Sequence, residues 1–239
     1  MSTYIISDIH GCFAEFKQLL KKIKFSVEDE LFILGDCLDR GPEPIPLIKY
    51  IMTQPNIYMI KGNHEIMAMN IIKNYLNVEI TEESLDALLN DEATLAYADW
   101  MNNGGGITLK QFSALPKEER EDIMLYLEET YDYEMLEVNN KLYILVHAGL
   151  DIFSPNKELE EYSLHDILWT RPDYTKRYYP GNRIFLVTGH TPTTYIRKDK
   201  ESLVYEGNGH IAIDCGCCFG GKLAAYCLET GEVTYVNKE

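Results

Sequence analysis

The spacing of apolar residues changes period several times along the first third of the chain. Thr3–Ser7 is a short β-rich run. Cys12–Lys24 places Phe13, Phe16, Leu19, Leu20 and Ile23 at helical spacing and closes on lysines, which suit a helix C-terminus. Leu31–Leu34 reads as a buried strand, Pro44–Met52 as a helix, and Asn56–Ile60 as a third strand. Strand, helix, strand, helix, strand at this spacing predicts a βαβαβ unit with a parallel sheet and right-handed crossovers. Ile66–Leu76 is the next expected helix.

The pattern then alters. From about Asn77 to Thr130 the chain is acidic and helical in period, interrupted by Asn102-Asn103-Gly104-Gly105-Gly106. This stretch reads as a helical insertion or cap. Strands return at Tyr133–Val138 and Lys141–Val146, flanking the hairpin signal Asn139-Asn140. A helix is expected over Leu159–Leu168, then strands at Arg183–Val187, Leu203–Tyr205, Ile211–Cys215, Leu223–Glu229 and Glu232–Val236. The last third therefore suggests antiparallel pairing. An α/β protein with a two-sheet core and helices outside fits both halves, with residues 1–239 forming one domain and no repeat or linker.

Composition narrows the function. Of 239 residues, 46% are hydrophobic and 25% charged, which excludes a disordered chain. Twenty-two basic against 38 acidic residues give a net charge of −16, a poor basis for binding duplex nucleic acid or an anionic membrane. A phosphorylated substrate stays open, because a few arginines or bound metal ions can invert the local field. No apolar run approaches the ~20 residues of a spanning helix, and the first residues lack an export pattern. A cytoplasmic protein with six reduced cysteines is expected. The cysteines lack the paired C-x-x-C spacing of a structural zinc site.

Five short motifs each follow an expected strand: Asp8-Ile9-His10-Gly11; Gly35-Asp36-Cys37-Leu38-Asp39-Arg40-Gly41; Gly62-Asn63-His64-Glu65; His147-Ala148-Gly149; and Gly189-His190-Thr191-Pro192. Four of the six histidines lie in them. Ligands of α/β sheets bind beyond the carboxyl ends of the strands, so these loops should converge. The residue types suit a dinuclear metal site. Asp8 and His10, two apart, would project to one side of an extended segment. Asp36 can bridge two ions, and Asn63, His147 and His190 add an amide oxygen and two imidazoles. Oxygen and nitrogen donors without thiolate suit Mn²⁺, Fe²⁺ or Zn²⁺. Two ions about 3.5–4 Å apart can hold a bridging hydroxide for in-line attack on phosphorus. A single motif of this kind is weak, and a lone histidine at a strand end is more often structural; five in order are specific.

This set resembles the phosphoprotein phosphatase branch of the calcineurin-like metallophosphoesterases, from Asp8 to about Lys222. Within it the chain is similar to small bacterial and bacteriophage-type protein serine/threonine phosphatases, and to the symmetrical diadenosine tetraphosphatases. The resemblance implies a central β-sandwich flanked by helices. It implies one metal on Asp8, His10 and Asp36 and a second on Asp36, Asn63, His147 and His190, with manganese the first choice and iron or zinc alternatives. His64 would protonate the leaving oxygen, its ring held by Asp39. Arg40 and Arg171 would clamp the phosphate; Arg177 and Arg183 are the next candidates for the second arginine. The implied activity is a phosphomonoesterase acting on phosphoserine and phosphothreonine or another small phosphate ester. The alternative is a dinucleoside tetraphosphate hydrolase. The resemblance is weaker over residues 77–129, where substrate selection could lie.

Other residues keep plain readings. Cys37 is not required by the pattern, and Cys215-Gly216-Cys217-Cys218 reads as a packed strand end and turn. His165 and His210 are expected to be structural or on the surface. The acidic runs at 118–122 and 158–161 read as solvated helix faces. The Gly-rich 102–106 segment fits either a simple turn or a loop at the mouth of the site.

Overall fold

The computed structural model describes residues 1–73 and 91–238. The chain begins β1 (Thr3–Ile6), α1 (Phe13–Ile23), β2 (Glu30–Ile33), α2 (Pro44–Met52), β3 (Ile57–Met59) and α3 (Asn63–Ile72). Three helices follow: α4 (Asp91–Asn102), α5 (Gly106–Ser113) and α6 (Lys117–Glu129). The second half contains β4 (Tyr133–Val138), β5 (Lys141–Val146), α7 (Leu164–Leu168), β6 (Ile184–Thr188), β7 (Tyr205–Gly207), β8 (His210–Ala212), β9 (Lys222–Cys227) and β10 (Val233–Asn237).

These strands make two five-stranded sheets, ordered β10-β9-β1-β2-β3 and β4-β5-β6-β8-β7. Strand periodicity explains how they pack. Ile5, Phe32 and Leu34 of the first sheet point inward against Tyr143, Leu145, Val187 and Ile211 of the second, forming the interior of a sandwich. Their neighbours Ile6, Leu31 and Ile33 point the other way, under helices α1, α2 and α3. Ile144, Val146 and Leu186 likewise face outward onto Leu159, Ile167 and Leu168. Alternate residues thus enter different cores, which is why these strands read as unbroken apolar runs. A two-sheet α/β sandwich flanked by helices is what the sequence predicts.

The pairing of the last third differs from its expected antiparallel form. β5 runs parallel to β6 and β6 parallel to β8, with Ile144 opposite Leu186 and Val187 opposite Ile211. The long connections between these strands give the chain room to return and re-enter in the same direction. Among the described residues, antiparallel pairing is confined to β4 with β5 and β7 with β8 in this sheet, and to β1 with β9 and β9 with β10 in the other. The expected strand at Leu203–Tyr205 sits two residues later. The helix expected over Leu159–Leu168 is a 3₁₀ turn, Leu159–Glu161, followed by α7, because Ser163 caps the second element by accepting from the Asp166 amide. Helix α3 starts three residues earlier than its apolar pattern suggests. The end of that expected helix, and the part of the expected insertion from 77 to 90, lie outside the described residues. The remainder of the insertion is helical as expected. Among the described residues no helix is long and apolar enough to cross a membrane.

Parallel register has a consequence for chemistry. β1, β2 and β3 all end at one edge, and β5, β6 and β8 end at the corresponding edge of the second sheet. All five motifs leave from these carboxyl ends.

Candidate active site

The loops beyond the strands are not extended. Asp8, His10, Asp36, Asp39, Arg40 and His190 all have φ between 44° and 69°. Residues with a Cβ are disfavoured there by about 1–2 kcal/mol each. Asp8 and His10 therefore do not share a face of an extended segment, as alternation predicted. A left-handed turn keeps their loop bonded to the one after β2: the Asp8, His10 and Gly11 amides donate to the carbonyls of Gly35, Asp36 and Cys37 at 3.2, 2.8 and 2.8 Å. An extended continuation would carry His10 away from Asp36. The loops also need close approach. A Cβ on Gly62 would lie 2.2 Å from Asp36 Oδ1, and one on Gly35 2.5 Å from the Gly62 backbone.

Glu65 pins these loops. Its carboxylate accepts from the amides of Asp36 (2.8 Å), Cys37 (2.9 Å), Leu38 (3.1 Å) and Gly62 (2.9 Å). The residue is completely buried. Burial pushes its carboxyl up, against the pull of these amides. The sequence reading quoted Glu65 in its motif without giving it a role. Its signal is the position: a glutamate three residues past the N-cap Gly62 can turn back onto orphan amides, once the helix is seen to start at Asn63.

Asp36 lies at the centre. Its Oδ2 is 3.5 Å from His10 Nε2, and its Oδ1 is 3.5 Å from His147 Nε2. Two donor triads result, His10–Asp36–His64 and Asp36–His147–His190, each with its donor atoms within 4.8 Å of one another. Asn63 joins the second, its Oδ1 lying 2.9 Å from His147 Nε2 and 3.0 Å from His190 Nδ1. Asp8 stands beside the cluster, taking the His190 amide at 2.9 Å and the Ser7 hydroxyl. Backbone carbonyls orient two of the rings: His10 Nδ1 meets Leu38 O at 2.7 Å and His147 Nδ1 meets Leu34 O at 2.6 Å. Each then presents Nε2 to Asp36, the second-sphere arrangement metal-binding imidazoles use.

The electrostatics fit divalent cations. Asp8, Asp36, Asp39, Glu65 and Asp214 are all buried. Burial raises the carboxyls of Asp8 and Asp36, and the mutual charge of neighbouring carboxylates raises them further. Burial also holds the His10 and His147 imidazoles neutral, which a ligand nitrogen requires. His190 is lowered to about 4, by burial and then by the charges of Arg171 and Arg40. Glu65, Asp39 and Asp8 each have two or more internal donors, and Asp214 has the Gly216 amide at 2.8 Å. Asp36 accepts one hydrogen bond among the described residues, from the His64 amide at 3.1 Å. A buried carboxylate so poorly satisfied, ringed by neutral imidazoles, calls for cations.

His64 also bonds outside the first triad. Its Nδ1 donates to Asp39 Oδ2 at 2.6 Å, leaving Nε2 toward the centre, 3.9 Å from Asp36 Oδ2. Burial raises Asp39 to about 6. The guanidinium of Arg40 donates to His64 Nε2 at 2.8 Å and also to His10 Nε2. Arg40, Arg171, Asp36, Asn63, His64 and His190 line one cavity of about 580 Å³. Arg177 and Arg183 do not line it, and Arg177 donates instead to the Gly181 carbonyl. Its rim carries Trp169 and the exposed rings of Tyr195 and Phe219. Asp214, beyond β8, is a further buried wall residue the sequence reading passed over; burial raises it to about 6. His210 is buried against Tyr174 and Tyr178, and His165 stacks on Trp169, so neither joins the cluster.

The profile of the calcineurin-like phosphoesterase family matches residues 1–236. The chain is 28% identical over 254 residues to an asymmetrical bis(5'-nucleosyl)-tetraphosphatase, PrpE, of Geobacillus sp. (strain WCH70), covering 95% of this chain and 90% of that one. It is 27% identical over 269 residues to a symmetrical bis(5'-nucleosyl)-tetraphosphatase of Buchnera aphidicola subsp. Acyrthosiphon pisum (strain Tuc7), covering 97% and 96%. Among solved structures, a candidate diadenosine tetraphosphatase superposes with a TM-score of 0.65 at 19% identity, covering 100% of this chain and 94% of that one. A protein serine/threonine phosphatase of Saccharomyces cerevisiae gives 0.58 at 14%, covering 100% and 80%. At these identities the two structures speak for the fold alone.

Two outcomes test the cluster. Asp36→Asn should weaken metal retention and reduce activity by several orders of magnitude, since Asp36 faces both triads. Retention of two ions by metal analysis, with near wild-type turnover, would remove it from the centre. Glu65→Gln sets an amide nitrogen against backbone N–H donors and should cost about 3 kcal/mol. That corresponds to a Tm lower by roughly 6–12 °C for a chain of this size, readable by calorimetry of the metal-free protein; an unchanged Tm would contradict the pinning role.

Proposed function

This chain belongs to the calcineurin-like phosphoesterase family, and within it we propose that it hydrolyses dinucleoside polyphosphates, bis(5'-nucleosyl) tetraphosphates in particular. The observation that carries the reading is the rim of the cavity. Tyr195 and Phe219 are 75% and 67% exposed, yet both border a site whose floor is built for phosphate. Large exposed rings beside a phosphate site suit a nucleobase, because every base offers a face for stacking. Phe219 lies on a short turn between two left-handed glycines, Gly216 and Gly220, and its ring is 5.1 Å from the Arg40 guanidinium. Curated relatives that align along nearly the whole chain carry the dinucleoside tetraphosphatase name.

The residues divide the work as follows. Asp8, His10, Asp36, Asn63, His147 and His190 would hold two divalent ions, manganese by preference. When bound, the ions supply Lewis-acid stabilisation of the phosphoryl oxygens and an activated water. Arg40 and Arg171, reaching the cavity from separate segments, orient the phosphate through charge-assisted hydrogen bonds that strengthen as charge builds on its oxygens. His64 would give a proton to the leaving oxygen from Nε2 as the imidazolium, its charge balanced by the Asp39 carboxylate on Nδ1 once Arg40 turns from that nitrogen to the phosphate. The unpaired thiols suit a cytoplasmic location.

A protein serine/threonine phosphatase is the second reading. The motif set resembles that branch, and the same donors and proton donor serve a phosphoserine ester. The two differ in what lies beyond the phosphate: a base that stacks, or a peptide that does not need these rings.

A side-by-side assay of the manganese-loaded protein on diadenosine tetraphosphate and on a phosphoserine peptide decides between them. The dinucleotide should be favoured at least tenfold in kcat/KM, with both p-nitrophenyl phosphate and dinucleotide turned over. Preference for the peptide would transfer the protein to the second reading. Phe219→Ala and Tyr195→Ala should each raise KM for the dinucleotide by about tenfold, from the ~1–3 kcal/mol of a base–aromatic stack. They should affect p-nitrophenyl phosphate far less; equal effects on both substrates would argue against stacking.

A further inference from the structure

Helices α4 and α5 reach Asp39 through two side chains. Trp100 is near the end of α4 and Thr108 is in the first turn of α5, eight positions apart across the Gly-rich segment. Both are completely buried, as is Asp39. The Asp39 carboxylate accepts three hydrogen bonds. Oδ2 takes His64 Nδ1 at 2.6 Å and Trp100 Nε1 at 2.9 Å, and Oδ1 takes the Thr108 hydroxyl at 2.6 Å. The same hydroxyl accepts the Asp39 backbone amide at 2.9 Å, closing a ring around the residue.

We propose that Trp100 and Thr108 are positioning residues for proton donation by His64, acting through Asp39. The inference rests on His64 being the proton donor of the proposed function. A carboxylate held only by an imidazole can rotate about its terminal torsion, since sp³–sp² torsions are broad. Two further donors, one on each oxygen, leave it one orientation. The imidazole bonded to it then has a fixed tilt, and its Nε2 a fixed direction toward the cavity. Proton transfer to a leaving oxygen requires a heavy-atom separation of about 2.6–3.2 Å, so direction matters as much as presence.

The segment between the two residues is shaped for this task. The Gly105 amide donates to the Trp100 carbonyl at 3.0 Å, and a Cβ on Gly105 would lie 2.5 Å from the indole. Glycine therefore lets the chain fold tightly over the ring, fixing where Nε1 points. The Arg40 amide donates to the Gly104 carbonyl at 3.1 Å, and a Cβ on Gly104 would meet the Arg40 side chain at 2.8 Å. Gln111 adds a bond from its side-chain amide to the Pro42 carbonyl at 2.6 Å. The loop that carries Asp39 and Arg40 is thus held against this helical layer at four successive places. A region that only covered the core would not need its polar atoms aimed at one catalytic carboxylate. Trp100 and Thr108 donate to it.

The test uses the full-length, manganese-loaded protein and two aryl phosphates, p-nitrophenyl phosphate and phenyl phosphate. Phenolate is the more basic leaving group and needs protonation more. Thr108→Val and Trp100→Phe should each lower kcat on phenyl phosphate by roughly 10–100-fold, a part of the ~10²–10⁴ that general acid catalysis contributes. On p-nitrophenyl phosphate the loss should be less than about threefold, on the same principle. KM and metal content should stay near wild type. Thr108→Ser, which keeps the hydroxyl, should restore phenyl phosphate turnover. Trp100→Phe keeps a ring in the pocket beside Gly105, so it reads the proposal independently of how Thr108→Val folds. His64→Asn is the control. If it lowers turnover of both esters equally, His64 is not the donor and the positioning role falls with it. If His64→Asn discriminates between the esters while Trp100→Phe and Thr108→Val do not, His64 stands and the positioning role alone is overturned.

Discussion

Five carboxylates buried within one small volume are the constraint on which the site depends. Burying an ionised carboxylate without partners costs several kcal/mol, and neighbouring carboxylates compound the cost. Each of four acids is answered locally. Glu65 takes backbone amides, Asp39 takes an imidazole, an indole and a hydroxyl, Asp8 takes the His190 amide and Ser7, and Asp214 takes the Gly216 amide. Asp36 is left facing neutral imidazoles on both sides. The imidazoles around Asp36, rather than the number of carboxylates, mark where cations belong.

Answering the acids in this way demands a particular backbone. Three of the four amides that satisfy Glu65 come from consecutive residues after β2, and they can converge on one carboxylate only if that loop curls back on itself. Left-handed φ values at Asp36, Asp39 and Arg40 are the result. The strain is stored where the chemistry is and is offset by hydrogen bonds that a straight strand end could not make. The two sheets supply the rigid frame, since His147 and His190 from the second meet Leu34 and Asp8 from the first.

The helical layer over β3 changes meaning in this light. Trp100, Thr108 and Gln111 come from a stretch whose sequence resembles the family least, yet their polar atoms contact the Asp39 loop. The Gly-rich segment between them is a close turn tied to Arg40, combining the two alternatives its composition left open. A single layer therefore holds the loop of the Asp39–His64 pair and, through Asp99 and Asn103, forms part of the cavity wall. Variation there would alter both the setting of the Asp39–His64 pair and the wall of the cavity.

The sequence by itself determined the alternation of strands and helices and the residues carried by the loops at the strand ends. Alternation in Ile5-Ile6, Leu31–Leu34 and Leu142–Val146 encodes strands with two buried faces, and local hydrophobic period is a property of the chain alone. The motifs after those strands named Asp8, His10, Asp36, Asn63, His64, His147 and His190, and the structure gathers all seven. Tertiary structure decided what local pattern cannot carry. Parallel pairing of β5, β6 and β8 depends on where long connections return, not on the strands' own residues. The left-handed turns at Asp8 and His10 exist because the loop after β2 lies beside them. Glu65, Trp100 and Thr108 acquire their roles only through atoms up to 69 positions away, such as the Asp39 carboxylate that Thr108 holds. Side chains that act through a distant partner leave no period in the sequence, because the bond that defines them forms only when the fold brings both ends together.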